Sequence, residues 1–165
     1  MSVQASALIL AWITIAMLAL AMAGLLRQVR ALSAQMTQAP ARASALTGTP
    51  APEFQGTALR WDRPTLLLFV SADCSICQER LQDLEALAEQ DGKLSYVAVF
   101  PGPADDLPTR RVRVLQNQSA AFQTLSIPVT PFGVVVGADG VVSRATPVGS
   151  ASALHDLTGT AKGLL

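Results

Sequence analysis

Two cysteines, Cys74 and Cys77, lie at a junction between a strand-like and a helix-like segment of this 165-residue chain. The run before them, Thr65–Val70, is short and apolar with β-branched and aromatic side chains, which is typical of a strand buried on both faces. The stretch after them, up to Gln90, has helical spacing, and its apolar face consists of Cys77, Leu81, Leu84 and Ala88. A cysteine pair where a strand leads into a helix favours an α/β fold with thiol or metal chemistry at the junction.

The rest of the C-terminal part continues to alternate strands and helices. Asp91–Gly92 is expected to end the first helix, because glycine tolerates the left-handed turn past a helix C-terminus. Gly137–Gly140 predicts a tight turn between two strands. The remaining predicted elements are strands at Leu94–Phe100, Arg111–Leu115, Val134–Val136 and Val141–Val142, and helices at Asn117–Leu125 and Ser150–Lys162. The order β-α-β-(β)-α-β-β-α predicts an α/β sandwich with a mixed sheet.

The N-terminus is apolar, and all 24 acidic and basic side chains lie beyond Leu26. The 22 residues of Ala5–Leu26 suffice for one transmembrane helix, since about 20 residues span a hydrocarbon core. A cleaved signal peptide is the main alternative, because Ala21–Ala23 resembles a cleavage site. However, no positive charge precedes the run, and the run is longer than a usual signal. A buried core helix is the third alternative, although the segment is apolar all round.

Three domains are predicted from this organisation. Residues 1–26 form the anchor. Residues 27–52 form a juxtamembrane helix and an Ala/Pro-rich linker, in which Gln38–Pro52 is too poor in large apolar side chains to fold alone. Residues 53–165 form the α/β domain.

The charge balance and cysteine count exclude several classes of protein. Twelve basic and twelve acidic side chains give a formal net charge of zero, which argues against a nucleic-acid binder or a polybasic membrane-surface protein. Two cysteines exclude a disulfide-stapled miniprotein and a four-cysteine zinc site. Arg110, Arg111 and Arg113 form a basic cluster, best interpreted as protective charges on an edge strand, with recognition of an acidic partner as the alternative.

The Cys-x-x-Cys pair can bind a metal or cycle between dithiol and disulfide. The unpaired N–H groups and dipole at the helix N-terminus stabilise a thiolate at Cys74, and Cys77, one turn later, can resolve a mixed disulfide. Zinc would need two more ligands, and His155 is the only histidine. Two inert buried cysteines are a further alternative. No metal and no cofactor are expected.

Thr130–Pro131 precedes a predicted strand, 54 residues after Cys77. A proline there has an ordinary explanation, because it cannot donate to the sheet. Together, however, the segments TLLLFVSADCSIC, Thr130–Pro131 and GADGVV resemble the thioredoxin superfamily. The resemblance implies a thioredoxin-like fold, with a mixed central sheet flanked by helices, and a thiol–disulfide oxidoreductase. It also implies a cis Pro131 packed against the cysteines and a substrate-binding role for Thr130.

Further resemblances concern the N-terminal half. Ala51–Phe54 is similar to the entry of the membrane-tethered TlpA-like branch. The span with Trp12, followed by Leu26–Leu32, is similar to the methylamine-dehydrogenase accessory (MauD-like) family. Three positions depart from the superfamily: Ser75–Ile76 between the cysteines, Asp73 before them, and Leu68 where thioredoxin has a buried acid. These departures leave the redox direction open.

The expected function is assistance in disulfide formation or correction in an exported protein, such as an amine dehydrogenase subunit. The expected partners are a client with cysteines or disulfides, a redox partner protein in the membrane, and the bilayer through residues 5–26. A thioredoxin-like binding module or copper metallochaperone is the alternative. Arg27 and Arg30 would place the domain in the cytoplasm. The resemblance to membrane-tethered thioredoxin-like proteins, and the persistence of disulfides outside the cytoplasm, favour instead a bacterial inner-membrane anchor with a periplasmic domain.

Overall fold

The structure is a computed structural model that describes residues 12–24, 27, 43–104, 107 and 109–165. The chain divides into two units, residues 1–37 and 38–165.

In the first unit, residues 12–24 form helix α1, and residue 27 is also helical. Within the described part of the chain, no helix has both the length and the apolar character needed to cross a membrane. The rest of the predicted span (5–11, 25 and 26) and the predicted juxtamembrane helix from residue 28 lie outside the described residues.

In the described residues of the second unit, a five-stranded mixed sheet and three helices follow one another in the predicted order. The strands are β1 (Thr65–Phe69), β2 (Ser95–Val99), β3 (Arg113–Leu115), β4 (Phe132–Val136) and β5 (Val142–Pro147). The helices are α2 (Ser75–Gln90), α3 (Ser119–Thr124) and α4 (Ala151–Lys162). The strand order is β3-β2-β1-β4-β5. β1, β2 and β3 are parallel, whereas β4 is antiparallel to both β1 and β5. The predicted mixed sheet is therefore confirmed.

The sheet is buried on both faces, which explains the continuous apolar runs of β1 and β4. One face packs against α2 and α4 through a core that includes Leu66, Leu84 and Leu157. The other face packs against α3 and the segment before β1 and includes Phe69 and Phe132. Because α2 starts just after β1, this packing holds the N-terminus of α2 at the carboxyl edge of the parallel strands.

Residues 43–52 belong to the folded domain, where the sequence predicted a linker. Residues 43–46 form a helical turn, and Ala43 is buried. The N–H of Gly48 donates to Val142 O and that of Val142 to Thr49 O, both at 2.8 Å, and Ala51 N–H donates to Gly140 O at 2.8 Å. The prediction of a linker is therefore wrong for residues 43–52. Main-chain hydrogen bonds attach this segment to the β4–β5 hairpin, and such bonds leave no pattern in the side chains of the sequence.

Helix α2 ends where predicted, but not by the predicted mechanism. Its C-cap residue, Asp91, is extended (φ −135°, ψ 103°), and Gly92 does not have the expected left-handed conformation. The Asp91 carboxylate accepts from the N–H of Lys93 at 2.9 Å and pairs with Lys162 Nζ at 3.0 Å. The acid therefore ends the helix and joins it to the end of α4.

Candidate functional site

Cys74 and Cys77 form a disulfide at the start of α2, with their Cα atoms 5.1 Å apart. Cys74 is the N-cap residue and has extended backbone angles. Its Sγ accepts a hydrogen bond from the N–H of Cys77 at 3.2 Å, and its carbonyl accepts from the same N–H at 3.0 Å. A sulfur at this position satisfies one of the N–H groups that a helix start leaves unpaired.

The two cysteines differ in accessibility. Cys77 is 2% exposed and belongs to the core between the sheet and α2, whereas Cys74 is only half-buried. Ile76, between them, is 47% exposed. An incoming group can therefore reach Cys74 more easily than Cys77, and the order in which the two thiols react stays a prediction.

The helix N-terminus provides the local electrostatics of the pair. The backbone N–H that donates to Cys74 Sγ and the positive end of the helix dipole both favour a thiolate on that atom after reduction. No acidic side chain lies in the first turn of α2. Asp73, just before the turn, is exposed, so solvent screens its opposing charge.

The Thr130–Pro131 bond is cis, as the resemblance implied. Pro131 is buried and Thr130 half-buried. The next residue, Phe132, pairs with Phe69, the last residue of β1. The register therefore places Thr130–Pro131, just before β4, at the same end of the sheet as the segment that leads from β1 to the cysteines.

A cavity of about 230 Å³ lies on the Cys77 side of the pair, between the start of α2 and the chain that follows β2. Its walls are mostly apolar and include Val70, Leu81, Phe100 and Ala104. None of these four residues was predicted from the sequence to belong to the site. Parallel pairing of β1 and β2 would have predicted them, because the carboxyl ends of parallel strands lie at the same end of the sheet and bring the residues after β2 beside the cysteine segment.

Two further side chains discussed for the site, His155 and Leu68, lie on α4 and in the core of the sheet. His155 is exposed on α4. Leu68, at the position of the thioredoxin acid, is fully buried. Among the described residues, no group of three or more His, Cys, Asp or Glu side chains could hold a metal ion.

The chain matches no protein-family model and no curated protein. It does match solved structures. A Chlorobium tepidum protein, provisionally described as the thiol:disulfide interchange protein DsbE, has a TM-score of 0.57 at 14% identity, covering 70% of this chain and 96% of that one. A thiol:disulfide interchange protein from Bacteroides sp. has a TM-score of 0.53 at 17% identity, covering 69% and 88%. The exposed lipoprotein thioredoxin Etrx1 of Streptococcus pneumoniae has a TM-score of 0.51 at 17% identity, covering 61% and 87%. At such identities the likeness establishes the fold, so the predicted thioredoxin-like fold is confirmed.

Proposed function

We propose that the chain is a thiol–disulfide oxidoreductase that acts through Cys74 and Cys77. The observation that carries this proposal is the disulfide at the N-terminus of α2, in which Cys74 is half-buried and Cys77 is buried. The thiol:disulfide interchange proteins among the structural matches support it.

Oxidation of a client proceeds in two exchanges. A client thiolate attacks Sγ of Cys74, a client–Cys74 disulfide forms, and Cys77 leaves as a thiolate that takes up a proton. A second client thiolate then attacks the client sulfur of this mixed disulfide. Cys74 leaves as a thiolate, which the helix N-terminus stabilises. The client loses two electrons, and the pair becomes a dithiol.

Correction of a wrong disulfide uses the same atoms in reverse. The Cys74 thiolate attacks the client disulfide, and Cys77 resolves the mixed disulfide if the client does not rearrange first. Turnover requires a second protein that exchanges electrons with the pair, which we place in the membrane.

Thr130 and Pro131 are the proposed client-binding residues. They lie at the same end of the sheet as the cysteine segment. Pro131 itself has no N–H to donate. A client backbone that passes beside Thr130 would bring its cysteine toward Cys74.

The proposed cellular setting is a bacterial inner membrane, with residues 5–26 as a single-pass anchor and the thioredoxin-like domain in the periplasm. The apolar N-terminal run supports the anchor, and the use of a disulfide supports an oxidising compartment. The proposed client is an exported protein with disulfides, such as an amine dehydrogenase subunit.

Trapping the mixed disulfide tests the enzymatic proposal. In a Cys77→Ser variant the client remains bound to Cys74, because no resolving thiol is present. We expect adducts on non-reducing gels that disappear with reductant, and mass spectrometry of the adducts identifies the client. The Cys74→Ser/Cys77→Ser variant is the control and should give none. A Cys77→Ser variant without adducts in the native cell would contradict the proposal and favour a binding module.

Reporter fusions after Leu165 test the orientation. Activity of an export-dependent reporter with a silent cytoplasmic reporter is expected. The opposite pattern would place the domain in the cytoplasm, as Arg27 and Arg30 alone would predict.

A further inference from the structure

A cleft of about 530 Å³ lined by four arginines opens at the amino ends of the parallel strands. Arg60 and Arg63 come from the segment before β1, and Arg111 and Arg113 from the segment that enters β3. One acid, Asp62, also lines the cleft, and its carboxylate lies 3.7 Å from Arg63 Nε. The other three arginines have no ionic partner in the part of the chain that the structure describes, so the cleft carries a net positive charge.

The strand register explains why this end of the sheet is polar. Thr65 pairs with Ser95, and Val97 pairs with Arg113. Side chains alternate along a strand and paired residues share a face, so all four project from the face that buries Leu67. Toward the carboxyl edge this face is apolar, whereas at the amino ends it carries hydroxyls and a guanidinium group.

Protection of an edge strand accounts for only half of the cleft. Arg111 and Arg113 lie at or beside the edge strand β3, where charges discourage pairing with another chain. Arg60 and Arg63 belong to a different segment, which precedes the central strand β1. Convergence of two distant segments on one cleft indicates a binding site for negative charge.

We propose that this arginine cleft binds an extended acidic segment of a partner protein. Guanidinium groups bind carboxylates through paired hydrogen bonds, and arginines spread over two segments match a row of carboxylates better than a single anion. In the described sheet β3 pairs with β2 alone, so its outer edge has backbone groups for an extended segment to contact.

The cleft lies at the other end of the strands from the disulfide. Thr65 begins β1 and Phe69 ends it, which separates the two sites by roughly 13 Å of strand. A bound acidic segment would therefore leave Cys74 open. The cleft would hold a partner while the cysteine pair exchanges disulfides, a role beyond the proposed activity.

Fluorescence anisotropy with the full-length chain in a zwitterionic detergent at low ionic strength tests the proposal. The probe is a labelled eight-residue peptide of alternating Glu and Thr, compared with the same peptide carrying Gln for Glu. We expect the Glu peptide to bind and the Gln peptide not to bind. Arg111→Gln/Arg113→Gln should weaken binding about tenfold or more. Arg110→Gln/Arg144→Gln removes the same charge outside the cleft and should weaken it less than about threefold.

Several results would overturn the proposal. Equal weakening by both pairs of substitutions would mean that net charge alone attracts the peptide. Binding of inorganic phosphate or of phosphatidylglycerol vesicles, but not of the Glu peptide, would identify a different ligand. Arg111→Lys/Arg113→Lys keeps the charge and should recover part of the affinity, and thermal unfolding verifies that each variant is folded.

Reduction of the disulfide by dithiothreitol should proceed at the same rate in all cleft variants. Absence of Glu-peptide binding by the wild-type chain, together with a successful Cys77→Ser trap, would refute the arginine cleft and leave the oxidoreductase proposal standing. Binding of the Glu peptide by the wild-type chain, together with a Cys77→Ser variant that forms no adducts, would refute the oxidoreductase proposal and leave the arginine cleft standing.

Discussion

At the scale of single residues, Cys74 both caps α2 and presents the accessible sulfur of the pair. After reduction, iodoacetamide should label Cys74 at least about tenfold faster than Cys77, because thiolate character and exposure both control cysteine reactivity. Timed quenching followed by peptide mass spectrometry measures the two rates. In guanidinium chloride the rates should converge, and faster labelling of Cys77 in the folded chain would reverse the assigned roles.

Gly133, the second residue of β4, lies where packing leaves no room for a side chain. A Cβ there would overlap Cδ1 of Leu157 on α4 and lie 2.8 Å from Cγ2 of Val148. Gly133→Ala should therefore destabilise the domain by about 1–3 kcal/mol, as overpacking does in close-packed cores. Gly149→Ala is the matched control, because its Cβ meets nothing within 4 Å. Chemical denaturation measures both, and an unchanged Gly133→Ala midpoint would contradict the prediction.

At the scale of elements, the Glu85 carboxylate joins α2 to the chain entering β3. It accepts hydrogen bonds from the N–H groups of Arg110 at 2.7 Å, Arg111 at 2.6 Å and Val112 at 3.1 Å. Glu85→Gln should destabilise the domain by about 1–3 kcal/mol, because charge-assisted bonds to the backbone are lost. Glu89→Gln, at an exposed position of the same helix, should have little effect. Urea unfolding distinguishes the two.

The same contact predicts a pH dependence. Burial acts to raise the pKa of Glu85, but the backbone N–H groups of Arg111, Arg110 and Val112 and the charge of Arg110 outweigh it, so the pKa lies below 4.5. A carboxyl group whose pKa is lower in the folded than in the unfolded chain stabilises the fold at pH values above its unfolded-state pKa. This stabilisation disappears as the pH falls through its folded-state pKa. The stability difference between wild type and Glu85→Gln should be constant near neutral pH and shrink below about pH 4.5. A difference that grows on acidification would contradict this sign.

The elements could be predicted from apolar periodicity, but their contacts across long sequence distances could not. β1 lies within a residue of its predicted bounds and α2 ends at the predicted Gln90, because both are strongly patterned, but α2 begins at Ser75, before the predicted helical stretch. The role of Glu85 was missed because its partners are backbone groups 25 to 27 residues away. The arginine cleft was only partly anticipated, because half of it comes from the segment before β1. The cysteine pair was predictable because strand, motif and helix are consecutive.

At the scale of the whole molecule, the folded domain should begin before residue 48. Deletion of residues 1–37 should leave the thermal midpoint within about 2 °C of the full-length value, because the folded unit starts at residue 38. Deletion of residues 1–52 removes three main-chain hydrogen bonds to the β4–β5 hairpin and the buried Ala43. It should lower the midpoint by on the order of 10 °C. Equal midpoints for the two deletions would mean that this segment contributes nothing.

The attachment of residues 48–51 to the β4–β5 hairpin also determines where a mechanical load would enter the domain. If the N-terminus is held and the domain is pulled by a bound client, tension reaches the fold first at the buried Ala43 and next at the hydrogen bonds to Val142 and Gly140. β5 is an edge strand, and β4 separates it from β1. In a client–Cys74 disulfide the same tension acts on the N-terminus of α2, so the load runs from the hairpin through β4 and β1 to the helix that carries the cysteines.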